Sequence, residues 1–276
     1  FAFSGSWRYA AEGYAPGTSY RGGSYFLAVD KRLAEDHLLS LTLFGASVVN
    51  GKQSPVLEES AALVSTHDCN TYWGYQAGKK RNANMGRSHQ PVLILTHDHR
   101  INNHTSVVTS VAYITGEKSS TALDWYHAPY PRPDYYRNLP SYQQDSVLRL
   151  RLTEAIGQHI SLQQIDWNKL YDVNRNSSET IGDANGIAGN SVTGLRSHYI
   201  VEERVTGIKQ VDANSVFNSL LNSGLSFTSG ISFQWQQSHY FKRVNDLLVG
   251  AFYVAWNRFA EHNLVTDQTG LKNYLN

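Results

Sequence analysis

The sequence is poor in cysteine, methionine and proline, and it contains no long apolar run. Its 276 residues include 1 Cys, 1 Met and 7 Pro. Because Cys69 stands alone, it cannot form an intramolecular disulfide, which excludes a small fold held together by disulfides. No stretch approaches the roughly 18 consecutive apolar residues of a membrane-spanning helix, so a helical membrane protein is excluded as well.

The chain also lacks a surplus of charge of either sign. The 24 Lys and Arg residues almost balance the 23 Asp and Glu residues and leave a formal net charge of +1. This balance argues against binding of a polyanion through bulk charge, and we predict no nucleic-acid partner. Phe1 is not an initiator residue, and no charged and then apolar targeting segment precedes the first strand pattern. We therefore expect a mature chain or an excised piece of a longer one.

Aromatic residues, in contrast, are abundant, with 17 Tyr and 6 Trp, and many of them lie in segments of period two. Alternation of apolar and polar side chains indicates a β-strand with one apolar face. The clearest case is 225–236, which carries large apolar side chains on one parity and no charge. Strands are predicted at 1–9, 24–33, 38–48, 89–99, 104–115, 211–221 and 225–236, with a further candidate at 195–205.

The predicted connections fall into two length classes. Those at 34–37, 100–103 and 222–224 are as short as hairpin turns, whereas those at 10–23, 49–88, 116–194 and 239–270 are long. Strands of about ten residues with short turns at one end and long loops at the other are typical of an outer-membrane β-barrel, in which a closed sheet pairs every backbone group inside lipid. A soluble β-sandwich or propeller would also alternate, but the sequence has few large apolar residues for a two-sided core.

The barrel hypothesis makes the two faces of the strands different. Trp7, Tyr9, Tyr25, Phe44, Tyr113 and Trp235 are candidates for an aromatic girdle near the strand ends, and Ser226, Thr228, Ser232, Gln234 and Gln236 are predicted to line a polar lumen. The segment 195–205 breaks the up-and-down order, because the links near 206–207 and at 222–224 are both short. It is interpreted either as a loop hairpin beyond the membrane or as a spanning strand whose partner is not identified.

Three long-loop segments combine aromatic and cationic residues. Residues 72–82 read YWGYQAGKKRN, 122–142 read ALDWYHAPYPRPDYYRNLPSY, and 164–171 read QIDWNKLY, a predicted helical turn capped by Asp166. Helices are also predicted at 145–159, after Asp145, and at 245–261. The run Lys79-Lys80-Arg81 is interpreted as a solvated loop or an anchor for lipopolysaccharide phosphates rather than a contact to an anionic substrate.

These three segments, in this order and between hairpins, resemble the TonB-dependent receptors of the Gram-negative outer membrane. The similarity is to large receptors with WGYQxGKKRN, DPRPDYYRxLPSY and QIDWxxLY segments; here PRPDYYR stands intact at 131–137, with Tyr130 in place of the expected Asp. The resemblance covers nearly the whole chain. It implies an all-β fold, an antiparallel transmembrane β-barrel of about 22 strands with short helices in its extracellular loops. Residues 1–276 would be an internal piece of that barrel domain, without the plug domain and the N-terminal TonB-contacting box.

The resemblance also implies a location and a function. The protein would lie in the cell outer membrane, in contact with lipid and lipopolysaccharide, and would import a siderophore, glycan, corrinoid or peptide with energy from the TonB complex. That complex would act through the missing N-terminal part. Ligand contacts are expected from rings and planar cations in the loops, namely Trp73, Tyr75, Trp125, Tyr126, Arg132, Tyr135, Tyr136 and Arg137. The alternative is a secreted soluble β-protein that binds glycans through the same loops.

Metal and catalytic sites are not predicted. His97, His99 and His104 suggest a metal site, because residues two apart in a strand share a face, but Asp98 points to the other side and no carboxylate completes the set. They are interpreted as strand-end histidines at a wet rim, and no cofactor is predicted. No Ser-His-Asp, paired-carboxylate or phosphate-loop signature has a specific spacing, so the chain is predicted not to be an enzyme.

Overall fold

Antiparallel β-sheet dominates the structure, a computed structural model that describes residues 1–64, 69–255 and the backbone of 274–275. Strands account for 57% of it. They are, in chain order, β1 (Ala2–Ala10), β2 (Ser19–Ala34), β3 (His37–Gly51), β4 (Trp73–Gln76), β5 (Lys79–Asn82), β6 (Met85–His89), β7 (Val92–Asn102), β8 (Thr105–Trp125), β9 (Ser178–Ile181), β10 (Val192–Leu195), β11 (Tyr199–Asn222), β12 (Leu225–Asp246), β13 (Val254–Ala255) and β14 (Tyr274–Leu275).

Eight of these strands form one sheet in which neighbours along the chain are neighbours in space. The order is β1, β2, β3, then β6 and β7 together, then β8, β11 and β12. β6 and β7 both pair with β3 and β8, so they act as a single strand interrupted at Pro91, which has no N–H for the ladder. Gly116 lies opposite, with φ of +131°, where a Cβ would stand only 2.1 Å from the His89 carbonyl oxygen. The interruption therefore requires glycine.

The predicted hairpins are confirmed, but the strands are longer than predicted. Two-residue turns at 35–36, 103–104 and 223–224 join the long strands. At the other end of the sheet the strands extend into the predicted loops. β11 begins at Tyr199, within the candidate strand 195–205, and continues without a break through the predicted strand 211–221. The predicted link near 206–207 is wrong, because Gly207 pairs with both Glu117 and His239. The single strand restores the up-and-down order without an additional partner.

The two faces of the sheet differ in polarity as predicted. Away from the register shifts, paired residues have the same parity, so the odd-numbered side chains share one face. Between the short turns and the level of Pro91 this odd face is mainly apolar and open, with exposed fractions of 76% for Phe3, 76% for Ile231 and 62% for Phe233. Next to the β2–β3 turn the same face also carries Lys31 and the histidines at 37, 97 and 99. The even face of β12 carries Ser226, Thr228, Ser232, Gln234 and Gln236, all of them exposed.

The structure corrects one of the girdle candidates. Trp7, Tyr9, Tyr25, Tyr113 and Trp235 lie on the odd face, each at least 38% exposed. Phe44 pairs with Phe26 and Val92 and lies on the even face. The prediction for Phe44 was wrong because it relied on closeness to a strand end, whereas parity within the strand decides the face.

In the described ranges, short helices lie only in the connections at the end opposite the two-residue turns. They are α1 (Glu58–Leu63), α2 (Ser146–Gln158) and α3 (Trp167–Arg175), with 3-10 turns at 136–138, 140–142 and 160–163. Asp145 caps α2 by accepting from the Val147 and Leu148 amides, and Asp166 caps α3 by accepting from the Lys169 amide, as predicted. Among the described residues, no helix combines the length and the apolar character needed to cross a bilayer.

The predicted helix at 245–261 is wrong over its described part. Asn245 and Asp246 end β12, and the chain then turns and reaches β13 at Val254. Pairing with β11 continues to Asp246, which outweighs the helical spacing of the apolar residues that follow. Residues 256–261 lie outside the described residues.

One hydrophobic core lies at the long-loop end of the sheet. Trp167 is fully buried, and the cluster joins α3 to the start of β11 and to the segment after β12. Its buried members are Ala83, Ile165, Trp167, Leu170, Tyr199, Val201 and Leu248. The loops named in the sequence are therefore packed into a cap.

Candidate functional site

The β4–β5 hairpin is fixed against the segment that precedes α3. The Ile165 amide donates to the Trp73 carbonyl oxygen at 2.8 Å. A Cβ on Gly74 would come within 1.9 Å of the Ile165 carbonyl oxygen, so only glycine allows this approach of the two backbones. Residues 72–82 and 164–171, the first and third of the segments that carry the family resemblance, therefore lie against each other.

Arg81 connects this hairpin to the rest of the cap. Its guanidinium donates to Asp246 Oδ2 at 2.6 Å, to Gln76 Oε1 at 2.8 Å and to the Tyr171 hydroxyl at 3.1 Å. It also stacks on the Trp167 ring at 4.2 Å. Arg81 is consequently a structural cation.

The run Lys79-Lys80-Arg81 therefore does not act as one cationic patch. Lys80 pairs with Glu12 at 2.5 Å and lies over the Trp73 ring at 5.0 Å. Its hydrogen bond is the main cause that lowers the pKa of the Glu12 carboxyl. Lys79 and Lys80 are both exposed, but Lys80 is paired with Glu12 and Arg81 with Asp246.

Five rings form a continuous row along the loop 125–142. Trp125 contacts Tyr130 edge-on at 4.5 Å, and Tyr130 stacks on Tyr135 at 4.5 Å with planes 6° apart. Tyr135 then meets Tyr136 at 4.8 Å, and Tyr136 meets Tyr142 at 5.3 Å. The prolines and this row make the loop a rigid, amphipathic surface whose outer rings are open.

Arg132 is a cation of the same loop that carries the ring row. It forms a short ion pair with Asp134 and stacks on Tyr72 at 4.8 Å. Burial by itself lowers the pKa of Arg132, but the Asp134 carboxylate outweighs burial and raises it, so the guanidinium stays charged. Its Nε atom is buried and has no hydrogen-bond partner among the described residues. A donor of this kind suits an acceptor supplied by a ligand or by water.

A cleft of about 580 Å³ opens beside Arg132, between the proline-rich loop, α2 and the start of α3. Aromatic rings, side-chain amides and a second cation, Lys169, surround the cleft. The lining includes Tyr75, Tyr130, Arg132, Asn138, Gln163, Gln164, Lys169 and Tyr199. Its volume and its mixture of apolar walls and convergent polar groups are those of a small-molecule site.

The predicted ligand residues divide between the cap and the surface. Trp73 and Tyr126 are buried, at 6% and 7% exposure, and Trp125 packs against the hydrophobic core. Tyr75 and Arg132 line the cleft. The remaining residues, Tyr135, Tyr136 and Arg137, lie at the outer end of the ring row, where Arg137 donates to the Tyr136 hydroxyl at 3.0 Å and thereby lowers the pKa of Tyr136.

Asn174 is a central residue that the sequence did not indicate. It is fully buried, and its amide donates to the carbonyl oxygens of Tyr199, Leu247 and Leu248. Its Oδ1 accepts from the His198 and Tyr199 amides. A single Asn in an amphipathic helix has no sequence pattern that predicts such a role. The role follows from the backbone groups of distant segments that surround the side chain.

His198 is the one loop-end histidine with both a hydroxyl and a carboxylate nearby in the described part of the chain. Its Nε2 lies 2.8 Å from Ser177 Oγ and 3.1 Å from Glu179 Oε1, and its Nδ1 faces the Tyr126 carbonyl oxygen. Burial tends to raise the pKa of Glu179, but the interactions with Arg196, His198 and Ser177 together outweigh burial and lower it. A catalytic triad needs serine and carboxylate on different ring nitrogens, so this group does not have that geometry.

Comparison of the chain with family models, with curated proteins and with solved structures finds no match.

Proposed function

We propose that the main sheet is part of the β-barrel wall of a TonB-dependent outer-membrane receptor, and that the loop cap binds a nutrient ligand for energised uptake. The observation that carries the proposal is the open apolar band on the odd face. Many large side chains there are more than one third exposed, from Trp7 on β1 through Leu41 on β3 to Trp235 on β12. Contiguous apolar surface of this extent is rare on soluble monomers and marks contact with a membrane or a partner.

The height of the band suits a bilayer. On β12 it extends from Leu225 to Trp235, which is about 33 Å of strand at about 3.3 Å per residue. At the strand tilt of about 40° found in outer-membrane barrels, this length corresponds to a band about 25 Å tall. Tyr113 and Trp235 lie at its upper margin, the position of an aromatic girdle.

Beyond that margin the odd face becomes charged, and Glu203 lies on β11 about 26 Å of strand from Val211, which pairs with both Tyr113 and Trp235. Glu203 accepts from Arg87 at 3.0 Å, from Ser119 at 2.6 Å and from Arg243 at 2.8 Å. Arg87 and Arg243 keep 42% and 48% of their side chains exposed. Two exposed cations above the apolar band suit contact with lipopolysaccharide phosphates outside the hydrocarbon core.

Two matched arginine variants test the membrane claim. Ile231 lies near the middle of the band, and Ser232 is its neighbour on the polar face. In the cell that makes the protein, the wild type and Ser232→Arg should sediment with the outer membrane and resist extraction without detergent. Ile231→Arg should insert far less, because arginine at the bilayer midplane costs about 2–4 kcal/mol. A wild type that remains in aqueous solution, or two arginine variants that behave alike, would show the proposal to be wrong and favour the soluble glycan-binding alternative.

Ligand recognition is assigned to the cleft beside Arg132. A calorimetric panel of one siderophore, one corrinoid, one oligosaccharide and one peptide tests it on the purified protein in detergent micelles. A true ligand should bind at least about tenfold more weakly to Arg132→Lys, since a planar fork of donors is replaced by a point charge. Arg151→Lys, on the exposed side of α2, is the control and should leave the affinity unchanged. If both variants bind every ligand like the wild type, the cleft is not the site.

A further inference from the structure

Four side chains with metal-binding chemistry meet beside the turn that joins β2 to β3. We propose that Asp36, His37 and His99 bind a divalent transition-metal ion, for which Zn²⁺ is the probe, and that His97 positions His37. This site is separate from the cleft in the loop cap, and it does not depend on the proposed transport function.

The sheet register brings the three histidines to one face. His37 begins β3 and pairs directly with His99 on β7, and the next pair of the same parity joins Leu39 to His97. The His37 and His99 rings stack with their centroids 4.1 Å apart. Asp36, in the preceding turn, supplies the carboxylate that β7 does not offer on this face.

The two carboxylate–imidazole distances are close to those of a tetrahedral site. Asp36 Oδ2 lies 3.7 Å from His37 Nε2 and 3.8 Å from His99 Nε2. All three ligand atoms lie within 4.8 Å of one another. Ligand atoms bound to Zn²⁺ at about 2.0–2.1 Å stand about 3.4 Å apart, so each carboxylate contact needs to shorten by about 0.4 Å. The two imidazoles would turn out of their stack for their lone pairs to converge.

His97 sets which nitrogen of His37 is available. His37 Nδ1 and His97 Nε2 are 2.9 Å apart, and the two rings are parallel within 1°. If Nδ1 donates its proton to His97, Nε2 of His37 carries the lone pair and faces Asp36. Ligating histidines commonly donate their other N–H in this way, which fixes the tautomer and strengthens the ligand.

The donor set favours zinc-like ions over calcium or magnesium. Two imidazoles and one carboxylate suit Zn²⁺, Ni²⁺ or Cu²⁺, whereas Ca²⁺ and Mg²⁺ require oxygen ligands. Side-chain exposures of 33% for His37, 50% for Asp36 and 34% for His99 leave room for an entering ion and for water as a fourth ligand. The arrangement matches an open site with three protein ligands.

The test is Zn²⁺ binding to the whole chain, purified in detergent micelles through an affinity tag that contains no histidine. A chromophoric chelator reports the affinity by competition. We expect His37→Ala and His99→Ala each to weaken the binding of one equivalent of Zn²⁺ by at least about 100-fold. Asp36→Asn should weaken the same binding by about tenfold. His104→Ala, in the neighbouring turn, is the matched control and should bind as the wild type does. Equal affinity in the wild type and both histidine variants would overturn the proposal.

A spectroscopic readout on the wild type guards against variants that fail to fold. Co²⁺ should give the intense visible absorption of a tetrahedral ion, and Cu²⁺ should show nitrogen hyperfine splitting from imidazole ligands. The wild type without either signature would also overturn the proposal.

The role of His97 has its own test. His97→Leu should weaken Zn²⁺ binding about 10–100-fold, as loss of a ligand's hydrogen-bond partner does. His97→Gln should restore most of the affinity, because its amide oxygen can accept the Nδ1 proton of His37. A glutamine variant as weak as the leucine variant would show that His97 does not position His37.

Discussion

Trp167 and Trp235 are the same residue type in opposite surroundings. Trp167 is fully buried in the loop cap, whereas Trp235 on β12 is 45% exposed on the apolar face of the sheet. The cap buries its tryptophans at 73 and 167 inside the chain, and the sheet turns the rings of its odd face outward. Aromatic residues therefore serve two purposes here, and the composition alone does not separate them.

The largest expected effect on stability comes from a substitution at the centre of the loop cap. Asn174→Asp replaces three amide hydrogen bonds to the carbonyl oxygens of Tyr199, Leu247 and Leu248 by contacts with a buried negative charge. We expect a loss of about 4 kcal/mol or more in the free energy of unfolding, since an uncompensated buried charge is strongly destabilising. Urea denaturation in detergent micelles measures it.

Asn214→Asp is the control for this variant, because Asn214 is exposed on the even face of β11. It should change the free energy of unfolding by less than about 0.5 kcal/mol. If both variants cost the same, the hydrogen bonds of Asn174 do not hold the cap together.

The second prediction compares the two tryptophans directly. Trp167→Ala should cost about 3–5 kcal/mol, because it opens a cavity in the cap. Trp235→Ala should cost less than about 1 kcal/mol in the same urea titration, because that ring is 45% exposed and its removal opens no buried cavity. A larger effect at Trp235 than at Trp167 would reverse the comparison and point to a protein partner on the odd face.

The smallest effect concerns the single thiol. Cys69 is 7% exposed, and burial raises the pKa of its thiol, with the Asp134 carboxylate adding to the shift. The reactive thiolate is therefore scarce at pH 8, and alkylation should be at least about tenfold slower in the folded protein than in urea. Mass spectrometry of the labelled chain follows the rate.

A thiol on the open face of the sheet provides the contrast. Ser232→Cys in a Cys69→Ala background should react rapidly, because Ser232 is exposed on the polar face of β12. If Cys69 reacts as fast as this introduced thiol, the cap is more open than its packing indicates.

Much of the sheet follows from local patterns. Period-two alternation predicted the strands and their apolar face, and short polar links predicted the hairpins at 35–36, 103–104 and 223–224. Asp145 and Asp166 predicted the starts of α2 and α3, because a helix N-terminus depends on a side chain within a few residues. These features depend on neighbours in the chain.

The errors have a common cause in long-range pairing. β11 continues through Gly207 because β8 and β12 supply partners on both sides, although the alternation there is weak. The apolar residues after Asn245 have helical spacing. The described part of this segment is nevertheless not a helix, because it completes β12 and then leads to β13. Likewise, Asp36 joins His99 only because β3 and β7 are neighbours in register.

The sequence by itself determined which side chains lie on each face of the strands, since period two allows only two faces. It also indicated that the long connections carry the rings and cations. Only the tertiary structure decided which of those groups are structural: Arg81 is bound to Asp246, and Trp73 is buried, while Arg132 borders an open cleft. The physical reason is that burial and pairing depend on segments far apart in the chain, whose meeting no local pattern encodes.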